Sequence, residues 1–316
     1  MTERPPALIR RHAAGAPSAR GLLFTLLGEF VLPGGGAAWT SAVIAAFARL
    51  GVAEKATRQA LMRTSADGWL SAEKAGRLTQ WHLTSAGRQL LTEGAGRIYS
   101  FTSAAENWDG RWLLVAARIP DGDRSTRYAV RTRLSWAGLG WLGPGLWISA
   151  HPEREAEVAR VLGEAGVAGA HLFTATRSGL DGAADMVRAA WDLDAIEQQY
   201  GRFIDDFGGP EFCGTGPGDV LARHVELVHA WRRFPAIDPG LPRELLPVSW
   251  RGLEAARLFT GLHERWSAGA QAEWKRLNDG VLVASGPSGP SGAAGGGLQR
   301  GQRDPAVVAP EDLAGC

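Results

Sequence analysis

Between Ala53 and Asp67, residue types and their spacing point to a specific chemistry. Place the segment on a helix with Lys55 at zero and about 100° per residue. Thr57, Ala60, Leu61 and Thr64 then fall within one arc, and Lys55, Arg58, Gln59, Met62 and Arg63 fall on the opposite side. One face is small or apolar; the other carries two guanidinium forks, an ammonium and a primary amide. An Arg fork fits O6 and N7 of guanine, and a Gln amide fits adenine, so this face has the side chains that read base edges in a major groove. Lys74 and Arg77 flank a turn shortly afterwards, and Arg10 and Arg11 lie in the preceding arm, where they can meet phosphates or a minor groove. Singly, each charge is an ordinary solvated surface group; together on one helix face they form a candidate DNA-reading surface.

Other chemistry is sparse. His224 and His229 are five apart, about 140° round a helix, so they do not share a face as i, i+4 zinc ligands do. Gly214-Thr-Gly-Pro-Gly-Asp has the wrong spacing for a dinucleotide loop, and neither a Walker-type phosphate loop nor a nucleophile elbow is found. Asp121 and Asp123 follow a strand and could hold a divalent ion, although paired aspartates at a strand end are more often turn residues. The expectation is therefore a non-enzyme without metal or cofactor. Thirteen tryptophans stand out, among them Trp136, Trp141 and Trp147, then Trp191, Trp231 and Trp250. Aromatics mostly fill cores, but a concave site lined by a few of them can take a flat ligand.

These residues must be positioned by folded elements. The chain has 316 residues, 45% hydrophobic and 21% charged, a globular composition with length for two or three domains. Its two cysteines, Cys213 and Cys316, exclude a disulfide scaffold and fit a reducing compartment, so a cytoplasmic location is expected. No apolar run reaches membrane-spanning length; Leu22 to Leu32 is broken by Thr25, Gly28 and Glu29. The net charge of +1 hides an asymmetry: the first hundred residues hold twelve basic against six acidic, leaving the remainder mildly acidic. A basic amino-terminal module on an acidic body fits a polyanionic partner.

Residues 1–17 read as a flexible arm. Ser18 caps a helix carrying Leu22, Leu23, Leu26, Leu27 and Phe30, stopped by Pro33 and the following glycines. Helices follow at Thr40 to Arg49 and Ala53 to Asp67, ended by Gly51 and Gly68. Trp69 to Ser71 and Thr79 to Leu83 form a two-stranded hairpin about Ala75-Gly76-Arg77, and Thr84 caps a closing helix. This succession over residues 18–100 predicts a winged helix-turn-helix. Residues 105–180 alternate strand Trp112 to Ile119, helix Ser125 to Trp136, strand Leu142 to Ser149 broken at Pro144-Gly145, helix Glu153 to Glu164 and strand Ala170 to Ala175. That order predicts a ferredoxin-like middle domain. Residues 183–280 predict a mainly helical C-terminal domain, with helices Ala183 to Phe207, Asp219 to Phe234 and Leu253 to Leu277 around a turn-rich break at Cys213 to Gly218. Residues 284–316 are Gly-Pro-Ser-rich and predict a disordered tail. The fold class expected is α+β.

Several short motifs carry a resemblance. They are Arg58-x-Ala60-x-x-Arg63 before Gly68-Trp69-Leu70, Leu83-Thr84-x-x-Gly87-Arg88, Arg97-Ile98-Tyr99 and Trp108-Asp109-Gly110-x-Trp112. Further on come Trp136-x-Gly138-x-Gly140, Gly145-x-Trp147, Trp191-Asp192-Leu193, Arg232-Arg233-Phe234-Pro235, Asp238-Pro239-x-Leu241-Pro242 and Leu245-Leu246-Pro247-x-x-Trp250. Over Ser18 to Leu277 the chain resembles the PaaX family of repressors of phenylacetate catabolism. The resemblance implies a homodimeric, DNA-binding transcriptional regulator, released from a double-stranded operator by an aryl-acyl-CoA thioester such as phenylacetyl-CoA. It also implies a middle domain like that of a CRISPR-associated nuclease. Thr57 and Thr64 depart from the larger aliphatics expected at inward positions. Trp136, Trp147, Arg232 and Arg233 are the candidate effector contacts, aromatics for the acyl end and arginines for phosphates. A metal-dependent nuclease and an RNA-binding module built on the middle domain remain the alternatives.

Overall fold

A computed structural model describes residues 18–101, 108–118, 124–167, 169–178, 182–209 and 220–284. Arg10 and Arg11 with their arm, Asp121 and Asp123, the Cys213 to Gly218 break and the tail from 285 lie outside the described residues.

Ser18 Oγ accepts the Gly21 amide at 3.1 Å and starts α1, Ala19–Leu26, which buries Leu22, Leu23 and Leu26. The helix then widens into a π-helical turn, Leu27–Val31. A short strand β1, Ala37–Trp39, leads into α2, Thr40–Arg49, and α3, Glu54–Ala66. Strands β2, Leu70–Ala75, and β3, Leu78–Leu83, form the hairpin, and α4, Ser85–Ser100, closes the unit. Thr84 Oγ1 accepts from the Gly87 amide at 3.0 Å and donates to the Gly68 carbonyl at 2.7 Å, so one side chain caps α4 and ties it to the end of α3. The expected two-stranded hairpin is a three-stranded antiparallel sheet in the order β1-β3-β2, with Ala37 opposite His82 and Trp39 opposite Gln80. Ala-Ala-Trp carries no alternation of its own; pairing with β3 makes it a strand.

The second sheet comprises β4, Arg111–Ala116; β5, Gly140–Gly143; β6, Leu146–Ser149; and β7, His171–Thr176. Its order is β5-β6-β4-β7, with every pair antiparallel. The strand expected over Leu142 to Ser149 is thus two, folded back at Pro144-Gly145. Helices α5, Arg124–Trp136, and α6, Glu155–Glu164, cover one face. Period-two alternation decides the packing: Leu113 and Val115 join Val130, Leu134, Val158 and Leu162 on that face. Trp112 and Ile148 point through the sheet into a second core.

The single helix expected from Ala183 to Phe207 is two, α7, Ala183–Ala190, and α8, Leu193–Phe207. Trp191 is extended, and the Asp192 carboxylate accepts the Ala195 amide at 3.0 Å, capping α8 afresh. Gly140 permits this break: a Cβ there would lie 2.5 Å from the Trp191 indole, so the ring rests on the β5 backbone. Then come α9, Val220–Trp231, the single turn α10, Phe234–Ile237, and α11, Gly252–Ala284. With 33 residues, α11 is about 50 Å long. It reaches two cores. Ala255, Phe259, Leu262 and Trp266 pack with α8 and α9, whereas Ala270 and Trp274 pack among α1, α2 and the first sheet. Among the described residues, no helix is long and apolar enough to cross a membrane.

Candidate functional site

The inward face of α3 is the one the spacing predicts: Thr57, Ala60, Leu61 and Thr64 are buried. The two threonines are accommodated because each hydroxyl donates back one turn, Thr57 to the Ala53 carbonyl at 3.3 Å and Thr64 to the Ala60 carbonyl at 2.8 Å. Small inward residues also bring α3 close to α1 and α2. Lys55, Arg58, Gln59, Met62 and Arg63 are all exposed, Met62 at 62%. Arg58 binds Glu54 one turn back, Nε to Oε1 at 2.8 Å; Arg63 has no ion pair among the described residues. Lys74 and Arg77 are exposed at the far end of the β2–β3 hairpin, which leaves α3 through the left-handed Gly68. The result is an uncovered cationic helix face followed by a cationic hairpin tip.

Two adjoining cavities of about 350 Å³ each share Arg97, Trp136 and Pro235. The first is mainly apolar. Phe24, Trp69, Leu90, Ile98 and Tyr99 line it, with Thr25, Glu29 and Arg232 among its polar walls. The second is lined by His151, Tyr200, Asp238 and Trp250. Here the Tyr200 hydroxyl donates to Asp238 at 2.6 Å and the Gly240 amide donates to it at 2.7 Å. Burial pushes the Asp238 carboxyl up; burial, then the adjacent Asp238, pushes the Tyr200 hydroxyl well up.

Of the four effector candidates, Trp136, 37% exposed, lines both cavities. Arg232 lines the first, and its Nη1 donates to the Gly21 carbonyl at 3.0 Å and to Thr25 Oγ1 at 3.1 Å. Arg233 lines neither and lies over the Phe234 ring at 5.2 Å; burial lowers the pKa of both guanidiniums. Trp147 is 3% exposed between the second sheet and its helices and lines neither cavity, because its position on β6 faces the α5–α6 side.

Sequence reasoning missed a polar seam joining α1 to α9 and α11. Glu29, in the π-helical turn, has Oε2 at 2.8 Å from His224 Nε2 and 3.1 Å from His263 Nε2, while the Tyr99 hydroxyl donates to Oε1. Burial alone would raise the Glu29 carboxyl; hydrogen bonds from His224, His263 and Tyr99 bring it down to about 2. The Tyr99 hydroxyl is raised, by burial first and by the Glu29 charge second. Gln271 Nε2 holds the Glu29 carbonyl at 2.6 Å, Asn278 Oδ1 accepts the Trp39 amide at 2.9 Å, and Arg49 pairs with Glu273. Nothing local signals this seam, because Glu29 lies 195 positions from His224 and 234 from His263.

Comparison with known proteins follows the same three stretches of chain. Residues 18–87 match the family model described as PaaX-like protein, residues 105–187 the PaaX protein central Cas2-like domain, and residues 191–276 the PaaX-like protein C-terminal domain. A curated relative, the transcriptional repressor PaaX of Escherichia coli (strain K12), is 32% identical over 275 residues, covering 83% of this chain and 85% of that protein. An uncharacterized protein from Mycobacterium tuberculosis has a solved structure similar to this one. Its TM-score is 0.55 at 22% identity, over 82% of this chain and 99% of the other, a likeness of fold alone.

Proposed function

The chain belongs to the PaaX-like family, and we propose on that footing that it is a sequence-specific DNA-binding transcriptional repressor. The observation that carries this reading is the uncovered face of α3, with Lys55, Arg58, Gln59 and Arg63 together on the element that a winged helix lays in the major groove. Helices α1 to α3 followed by the β2–β3 hairpin support a winged helix-turn-helix over residues 18–100, with Lys74 and Arg77 at the tip of the wing. In the reading proposed, Arg10 and Arg11 of the arm, residues 1–17, add phosphate or minor-groove contacts. The β-α-β-β-α-β succession and the β5-β6-β4-β7 order support a ferredoxin-like domain over residues 105–180, followed by a helical domain over 183–280 and a tail over 284–316. Fold does not carry function, so the Cas2-like description of the middle domain does not make the chain a nuclease.

A homodimer presents two such helices to half-sites on one face of an operator. An aryl-acyl-CoA thioester releases it by binding better to a dimer arrangement that no longer matches the half-sites. The paired cavities suit such a ligand: Trp136 and neighbouring apolar side chains take the acyl end, and Arg97, Arg154 and Arg232 are the cations in the cavity walls.

The test selects duplexes from a random library with the full chain, then measures binding of the selected site by Arg63→Ala, with competitor RNA and with magnesium present. Loss of affinity and relaxed base preference in the variant, a preference for duplex DNA over RNA, and intact DNA afterwards are expected. Unchanged affinity and base preference would count against the helix assignment; cleavage or RNA preference would favour the middle-domain alternatives.

A further inference from the structure

We propose that Glu29, His224 and His263 form a binding site for a divalent transition-metal ion of the zinc class, set in the seam between α1 and the helices α9 and α11. Two imidazole Nε2 atoms converge on one carboxylate oxygen at 2.8 and 3.1 Å, and the three donor groups lie within 4.8 Å of one another. Two imidazole nitrogens with a carboxylate are donors that zinc, cobalt, nickel and ferrous iron accept; calcium and magnesium prefer all-oxygen sites. Zinc–ligand distances of about 2.0–2.2 Å put tetrahedral donors about 3.4 Å apart, so the nitrogens need to back off by a few tenths of an ångström. The side chain of His263 is 23% exposed and has room to move; His224 is fully enclosed.

The surroundings orient the carboxylate as an outer shell does. Tyr99 donates to Oε1, leaving Oε2 to the imidazoles, and Gln271 fixes the main chain of Glu29 from α11. The carboxylate rises from a π-helical turn, an irregularity that recurs at functional sites. Glu29 and Tyr99 also line the apolar cavity, so a fourth ligand, water or a ligand heteroatom, reaches the ion from that side. Because its ligands come from three elements, the ion cross-links the amino-terminal unit to the C-terminal helices.

The experiment uses the full chain, stripped with chelator and dialysed, then titrated with Zn²⁺ or Co²⁺. One ion per chain is expected, with the visible absorption of low-symmetry cobalt and a melting temperature raised by roughly 5 °C or more at a hundredfold excess over Kd. His263→Gln and Glu29→Gln each weaken binding at least tenfold, whereas His171→Gln, at an exposed position on β7, leaves it unchanged. Should Glu29→Gln fail to fold, the variant at the partly exposed His263 decides alone. Two results overturn the site: no stoichiometric ion and no thermal shift with either metal at roughly 100 µM, or undiminished binding by His263→Gln. None of these readouts involves DNA, so their failure leaves the repressor reading standing.

Discussion

Arg58 and Arg63 share a helix face but not a starting state, and this difference sets a measurable hierarchy. Arg63 is free of ion pairs among the described residues, whereas the Arg58 guanidinium is engaged by Glu54, with Nη2 at 2.7 Å from Oε1. Both partners are more than half exposed, so the pair is worth about 0.3–0.5 kcal/mol. A bidentate guanine contact contributes about 1–3 kcal/mol of discrimination. Arg63→Ala should therefore raise Kd for the selected operator about 5- to 150-fold. Arg58→Ala should cost less, by the strength of the pair Arg58 must surrender. Glu54→Gln should tighten binding about twofold, since it releases Arg58 and removes a negative charge facing phosphate. In an Arg58→Ala background most of that gain should vanish, leaving a coupling of about 0.3–0.5 kcal/mol in the double-mutant cycle. Fluorescence anisotropy at fixed, stated salt resolves differences of this size. Tighter binding by Glu54→Gln that is undiminished without Arg58, or weaker binding by Glu54→Gln, would refute the reasoning. A flat response to Arg63→Ala would refute the docking face itself.

Four further outcomes are expected. A Cβ at Gly87 would sit 2.3 Å from the Trp69 carbonyl oxygen, so Gly87→Ala should destabilise the fold by about 1–3 kcal/mol, read in urea melts. Thr84→Ala removes the cap of α4 and should cost about 1 kcal/mol in the same assay. Burial raises the Asp238 pKa above 3.8, so the folded state holds that proton more tightly than the unfolded chain. Wild-type stability relative to Asp238→Asn should therefore fall as pH rises from 3.8 towards the raised value, and a pH-independent difference would contradict this. Trp136→Ala, which opens both cavities, should reduce the thermal shift given by phenylacetyl-CoA while sparing DNA affinity.

Features with local causes were legible in the sequence. Ser18 and Thr84 announce helix starts because their side chains bond amides three residues on. The buried face of α3 follows from spacing alone, although the tolerance of Thr57 and Thr64 there needed their back-bonds to be seen. What escaped depends on partners remote in the chain. Strand β1 exists because β3 pairs with it, and the helix break at Trp191 exists because Gly140 admits the indole. The placement of Trp147 turns on which side of β6 faces the helices, a register that a strand broken by Pro-Gly does not fix. His224 and His229, set aside as a pair, go to different neighbours: His224 to Glu29 and His229 to Thr25.

The length of α11 has a consequence for anyone wishing to dissect the molecule. Cutting after residue 100 would strip the Phe30 ring of Trp274, whose centroid lies 6.0 Å away, and leave Arg49 and the Trp39 amide without Glu273 and Asn278. A headpiece liberated in this way has a bare, sticky flank and should clump or melt early, so the proposed operator binding is best tested with the whole rod attached. By the same token, Phe259 and Trp266 in the far core are joined to Ala270 and Trp274 in the headpiece by a single continuous helix.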